Sequence, residues 1–358
     1  MILQLFKPFS GCKPLCFKSW SKNAHLLASL ALLAGFCQQT MAQPAITNFA
    51  ERAARPAAEG QTLAEARKNV TTILTIKETQ RFALPKPPAS LFVKVQYPSP
   101  VGSLAAFMTP LPRVVNPAKN SAKGTTAAAT KRPAIIWLTG GDSNTLSDFW
   151  LEGTPGNDQS ASAYRKAGIV MLFPTLRGGN GNPGVKEALF GEVADVLAAA
   201  DFLAAQRGID PARIYLGGHS TGGTLALLSA QSSDRFCGVF AFGPVAHIET
   251  YQGQLLPVNF KNYPDAEARM RSPIYWMNSI RSNVYVLEGT KAPSNTEAFA
   301  ELKDALKVPT ASFVPVRNAN HFSILAPANA VIAQKILKDT ARCDIALNAG
   351  DISVKPSP

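Results

Sequence analysis

Residues 210–223 read Asp210-Pro211-Ala212-Arg213-Ile214-Tyr215-Leu216-Gly217-Gly218-His219-Ser220-Thr221-Gly222-Gly223. Arg213 to Leu216 has the composition of a strand, and Thr221 to Gln231 that of a helix. Between them stands a serine flanked by glycines two positions away on each side. A serine on so sharp a strand-to-helix turn is strained, and the positions around it must be small enough to clear neighbouring backbone. Gly218 and Gly222 meet that demand, and Gly223 lets the helix approach the sheet. The helix N-terminus beneath Ser220 favours negative charge developing on a substrate oxygen. The pentapeptide alone is a weak signal, and its strand–turn–helix setting is what makes it informative.

Working outward, the same rhythm recurs from residue 133 onward. Ala134 to Leu138 is a short apolar run that ends in Thr139-Gly140-Gly141. Gly168 to Phe173 is another, followed by Pro174-Thr175-Leu176-Arg177-Gly178-Gly179. Val185 to Arg207 has helical spacing of its apolar residues. Further strands are expected at Cys237–Phe242, Val284–Leu287 and Phe313–Val316, and a last helix at Ala330–Thr340 with Asn329 as its N-cap. Apolar strands alternating with helices imply a mostly parallel, doubly wound sheet with helices on both faces.

Upstream, Leu91–Tyr97 and Val101–Met108 flank a Pro-Ser-Pro turn and predict a hairpin. Thr62 with Glu65 three residues later is a capping box, predicting a short helix to about Leu74. The expected organisation is a signal peptide over 1–42, a helical extension and linker over 43–88, and a catalytic domain over 89–345. Within that domain, 115–132 reads as a flexible loop and 246–280 as a small cap insert; 346–358 is a tail.

The chain has 358 residues, of which 46% are hydrophobic and 17% charged, an ordinary globular composition. Its net charge of +12 is unevenly placed: +4 in residues 1–42, +9 in 43–134 and −1 in 135–358. The part carrying the serine has no basic surplus, which argues against a nucleic-acid partner. The basic N-terminal region leaves room for peripheral contact with a cell envelope.

Residues 1–42 combine four lysines, an apolar stretch from Leu26 to Phe36, and Thr40-Met41-Ala42, a cleavage pattern ending at Ala42. A periplasmic or secreted protein is therefore expected, membrane-anchored if the segment stays uncleaved. Removal of that segment leaves only Cys237 and Cys343. In an oxidising compartment they can form one disulfide; two buried thiols are the alternative.

A serine hydroxyl is a poor nucleophile without a base. Past the signal the histidines are His219, His247 and His321. His321, in Asn318-Ala319-Asn320-His321-Phe322, follows the last strand, where a doubly wound sheet brings a loop over the strand ends. His219 is expected to point away from the serine and to orient the site, and His247 to be a surface residue. Two N–H groups are needed for an oxyanion. Thr221 supplies one, and Gly140 or Gly141 the other.

The stretch 210–223, with Thr139-Gly140-Gly141 before it and Asn320-His321-Phe322 after it, resembles the α/β-hydrolase superfamily, most closely its prolyl oligopeptidase and dienelactone hydrolase branch. Pro174 to Gly179 is similar to that branch's loop after its fourth strand. The resemblance covers roughly 91–343. It implies the α/β-hydrolase fold, with Ser220 as nucleophile, His321 as general base, and Thr221 and Gly141 as oxyanion donors. It implies no metal and no organic cofactor.

The sequence departs from the resemblance at the acid. The family carries an Asp three residues after the Gly that ends the seventh strand, and counting from Gly289 gives Ala292. Glu288 is the preferred substitute and Glu249 the second. The resulting expectation is an exported serine hydrolase acting on a small ester or short peptide through an acyl-enzyme. Ester is favoured because the chain has no room for the N-terminal propeller of the larger oligopeptidases. The alternative is a weakly active or non-catalytic binding protein on a decayed scaffold. The cap insert, with Tyr251, Leu255, Leu256, Phe260, Tyr263, Tyr275 and Trp276, would line an acyl pocket. Nothing in the sequence sets the oligomeric state.

Overall fold

The computed structural model describes residues 61–74, 77, 79, 81–111, 131–251, 265–307, 309–340 and 343–355. The expected signal segment over 1–42, nearly all of the 115–132 loop and residues 252–264 of the insert lie outside them, among them Leu255, Leu256, Phe260 and Tyr263. The described residues all fall in one compact unit, Arg55–Pro358.

Eight strands form one sheet: β1 (Val93–Ser99), β2 (Gly102–Met108), β3 (Arg132–Leu138), β4 (Val170–Pro174), β5 (Ile209–His219), β6 (Gly238–Phe242), β7 (Val284–Gly289) and β8 (Ala311–Val316). Their order is β1-β2-β4-β3-β5-β6-β7-β8. β1 and β2 make the expected hairpin, closing at Ser99 opposite Gly102, and β2 runs antiparallel to β4. From β4 through β3 to β8 all pairings are parallel.

β6 is apolar at every position and β3 is apolar beyond Arg132, because both faces of the sheet are covered. In β3, Ala134, Ile136 and Leu138 enter one core, while Ile135 and Trp137 enter the other. The first core lies under α3 (Glu192–Ala204) and α4 (Thr221–Ser232), and α1 (Leu63–Arg67) packs on α4. The second lies under α2 (Ala163–Lys166) and α7 (Leu325–Lys338). The shorter α5 (Asp265–Arg269) belongs to the insert, and α6 (Thr296–Ala305) follows β7. Among the described residues, no helix is long and apolar enough to cross a membrane.

Several elements depart from the periodicity. The capping box forms, with Thr62 Oγ1 accepting from Glu65 N and the Glu65 carboxylate accepting from Thr62 N. The helix nevertheless ends at Arg67, because the β-branched run from Val70 leaves it to pair elsewhere. Ile73 N and Thr72 Oγ1 both donate to the Glu267 carboxylate. α3 begins at Glu192 rather than Val185, since Ala188 and Leu189 adopt positive φ and interrupt the helix. α7 begins four residues beyond His321 and has Asn329 inside it; that side chain is buried and accepts from the Tyr164 hydroxyl, so it is no cap.

The N-terminal extension and the tail are built into the body. Arg67 donates to the carbonyls of Leu189, Phe190 and Met270, and its guanidinium lies over the Phe190 ring. Burial there, reinforced by Arg271, lowers its pKa to about 9. Trp276 is buried in the first core, its indole N–H donating to Arg269 O, so it packs the insert down rather than lining a pocket. At the other end, Cys343 is disulfide-bonded to Cys237. Ile345, Leu347 and Ile352 then enter the second core.

Candidate active site

Ser220 stands at the junction of β5 and α4 with φ 54° and ψ −116°, a conformation an L-residue adopts only where its surroundings impose it. Two backbone bonds impose it: Ser220 N donates to Phe242 O at 2.8 Å, and Thr224 N donates to Ser220 O at 2.8 Å. Gly222 is required by close approach, because a Cβ there would collide with the carbonyls of Leu138 and Thr139. The elbow is thereby lifted above the sheet, with Ser220 half-buried at its upper edge.

His321 lies in the loop between β8 and α7, on the same edge. That loop is zipped to the one after β7: Lys291 N donates to Ala319 O, and His321 N to Pro293 O, both at 2.8 Å. Glu288, at the end of β7, is 2% exposed, and its Oε2 lies 3.1 Å from His321 Nδ1. The same carboxylate accepts from Gly289 N at 2.7 Å and from Asn295 N at 3.1 Å. Three donors converge on it, fixing its position. A carboxylate offers only acceptors, so Nδ1 of His321 carries the hydrogen and Nε2 keeps a free lone pair. Ala292 takes no part in this pair. Glu249 sits on a 3-10 turn, Ile248–Tyr251, and the carboxylate against His321 is that of Glu288.

His219, next to Ser220, packs against His321 and supports the site. Its ring is buried, with its centroid 4.5 Å from that of His321. Its Nε2 lies 3.0 Å from His321 O, an acceptor, so Nε2 carries the hydrogen. Nδ1 then accepts from the Gln159 amide at 3.0 Å. Burial, with the neighbouring His321 adding to it, drops the His219 pKa to about 3 and keeps the ring neutral. His247 faces Glu301, Nε2 to Oε2 at 3.2 Å, and its ring stands against Tyr275.

Thr221 is the first residue of α4, so its N–H has no acceptor within the helix. Its hydroxyl donates to Gly141 O at 2.7 Å and clamps the loop after β3 against the helix N-terminus. Gly141 has φ +74° and open space where a side chain would be. Gly140 lies closer in: a Cβ there would stand 2.9 Å from His219 Nδ1 and 3.4 Å from Ser220 Cβ. Asp142, next in the loop, is paired with Lys186 at 2.8 Å, which stiffens this segment further. The loop holding Arg177 is structural. The buried guanidinium is held by Asp195 and Glu187. Burial opposes its charge, but those carboxylates outweigh it and raise its pKa.

Three residues at the site carried no signal as isolated letters. Gly243 has φ +55°, and a Cβ there would collide with the His321 ring and stand 2.8 Å from Glu288 Oε2. Asn295 donates its N–H to Glu288 and its side-chain amide to Gly243 O at 2.8 Å. Gln159 supports His219 from a loop sixty residues upstream. Tyr251, expected in the insert, is buried beside α4, its hydroxyl 2.9 Å from Thr224 Oγ1. The arrangement can deliver a serine hydroxyl to a carbonyl carbon, take up its proton and receive the oxyanion on backbone N–H groups.

Residues 157–333 match the prolyl oligopeptidase family. Among solved structures, puromycin hydrolase is similar at 18% identity with a TM-score of 0.50, over 71% of this chain and 40% of that one. Dipeptidyl peptidase 4 of Porphyromonas gingivalis is similar at 16% identity and 0.51, over 69% and 35%. The chain thus spans well under half the length of either, and the likeness is one of fold. No protein of curated function matches it in sequence. The fold is that of the α/β-hydrolases, and the family match supports a serine hydrolase.

Proposed function

Taking an α/β-hydrolase fold with a prolyl oligopeptidase family match as the premise, we propose that this protein is an exported serine hydrolase that cleaves carboxylic esters through an acyl-enzyme on Ser220. The observation that carries this reading is the Glu288–His321 contact of 3.1 Å on the sheet edge where a serine is held at φ 54°. His321 Nε2 takes the proton as Ser220 Oγ bonds to the carbonyl carbon. Thr221 N–H and Gly141 N–H receive the oxyanion. The carbon–oxygen bond to the leaving group then breaks, and His321 returns the proton to the departing oxygen. Water, deprotonated by the same imidazole, hydrolyses the acyl-serine and restores the enzyme.

A carboxylate held against the imidazole, on the sheet edge that also carries a strained serine, is what a decayed scaffold has no reason to keep. Export rests on the signal pattern of residues 1–42, and the Cys237–Cys343 disulfide supports an oxidising compartment. Peptide bonds are the second reading, favoured by the family match. The test is hydrolysis of p-nitrophenyl butyrate and of an aminoacyl p-nitroanilide by the purified protein and by Ser220→Ala. Ester turnover lost in the variant supports the proposal. Turnover that survives the substitution, or anilide cleavage far outpacing ester cleavage, contradicts it.

A further inference from the structure

His321 is 8% exposed, but its neighbour Phe322 is 37% exposed, an apolar ring left open beside the base. The ring stands edge-on to His321, with centroids 5.0 Å apart at 84°, and to His219, 5.6 Å apart at 61°. Its backbone is fixed on both sides. Phe322 N donates to Asn320 Oδ1 at 3.0 Å, and Phe322 O accepts from Leu325 N at 3.2 Å. The position is therefore set by the turn that sets His321, while packing does not use the outer face of the ring.

We infer that Phe322 forms one wall of the subsite that receives the leaving group, and that it selects substrates whose departing alcohol carries an aromatic ring. This deepens the reading of the site as a serine hydrolase and rests on it. The proton His321 takes from Ser220 must return to the departing oxygen, so that oxygen comes within hydrogen-bond reach of Nε2, about 3 Å. On this inference a ring one carbon further out stands within the roughly 4.5–7 Å at which aromatic pairs attract, against Phe322, whose centroid is 5.0 Å from that of the imidazole. The carbonyl oxygen is held at the other end of the site, on Thr221 and Gly141. The acyl group stays on Ser220 when the alcohol leaves, so Phe322 acts on acylation and not on hydrolysis of the acyl-serine.

Benzyl butyrate and ethyl butyrate test this, because their alcohols are of similar acidity and their acyl-enzymes are identical. Phe322→Ala lowers kcat/KM for the benzyl ester about 2- to 12-fold relative to the ethyl ester. Phe322→Tyr preserves the ratio, and the deacylation rate of butyryl-enzyme is unchanged in both. Phe322→Leu, which keeps apolar bulk and loses the ring, makes the same comparison should the alanine variant fold poorly. Equal losses for both esters, or no loss for either, overturn the inference while leaving a working hydrolase. Failure of the wild-type protein to cleave either ester, or cleavage that persists in Ser220→Ala, instead removes the reading beneath it.

Discussion

Glu288 Oε2 meets Nδ1 of His321, 33 residues further along the chain, at 3.1 Å, and the same oxygen accepts the N–H of Asn295. The carboxylate therefore comes from the strand end itself and not from the loop position that holds Ala292. In the proposed mechanism its task is to fix the imidazole tautomer and to stabilise the imidazolium. Glu288→Gln is expected to keep the fold and to lower kcat for p-nitrophenyl butyrate by about 10⁴-fold, with KM little changed. Glu249→Gln is expected to retain most activity, and steady-state kinetics on both variants separates the two carboxylates.

Gly243 lies beneath this pair. Its φ of +55° and the lack of space for a Cβ make even alanine intrusive there. Gly243→Ala should displace the His321 ring and cost about 100-fold in kcat/KM. A crystal structure or the imidazole NMR signals of the variant would show the moved ring.

His219 contributes an acid dependence to stability. Its pKa is near 3 in the folded protein, against about 6.5 in an unfolded chain. Below pH 6.5 the unfolded state gains a proton that the folded state refuses, so stability falls as the pH drops towards 3. The slope from this one group is at most about 1.4 kcal/mol per pH unit. His219→Gln removes that contribution, and the difference in Tm between pH 7 and pH 4.5 should be smaller in the variant than in the wild type.

The Cys237–Cys343 disulfide closes 106 residues and anchors the segment that places Ile345, Leu347 and Ile352 in the second core. Replacing both cysteines by serine should cost about 2–5 kcal/mol in urea unfolding. Activity at low temperature should be retained, since the active-site loops are tied together by their own hydrogen bonds. Equal stability with and without the disulfide would show that the tail packs on its own.

The strand–turn–helix around Ser220 was legible because the glycine spacing and the apolar runs are local features. His321 was legible by its place after the last strand. Glu288 was legible only as one carboxylate among two, since register across β7 and the loops that follow is a tertiary property. Gly243, Asn295 and Gln159 were invisible for the same reason: each acts on a residue far along the chain. The start of α3 escaped because apolar spacing continues through Ala188 and Leu189, where the backbone turns to positive φ. α6 was missed because Leu302 is its one buried side chain, too little for a clear apolar stripe.

The central claim is that Ser220 is an activated nucleophile. Incubation with a fluorophosphonate, followed by intact mass and peptide mapping, tests it directly. One phosphonyl group per chain is expected, on the peptide containing Ser220, with labelling lost in Ser220→Ala and slowed in Glu288→Gln. An unmodified Ser220, or a label that persists on another residue in Ser220→Ala, would contradict it.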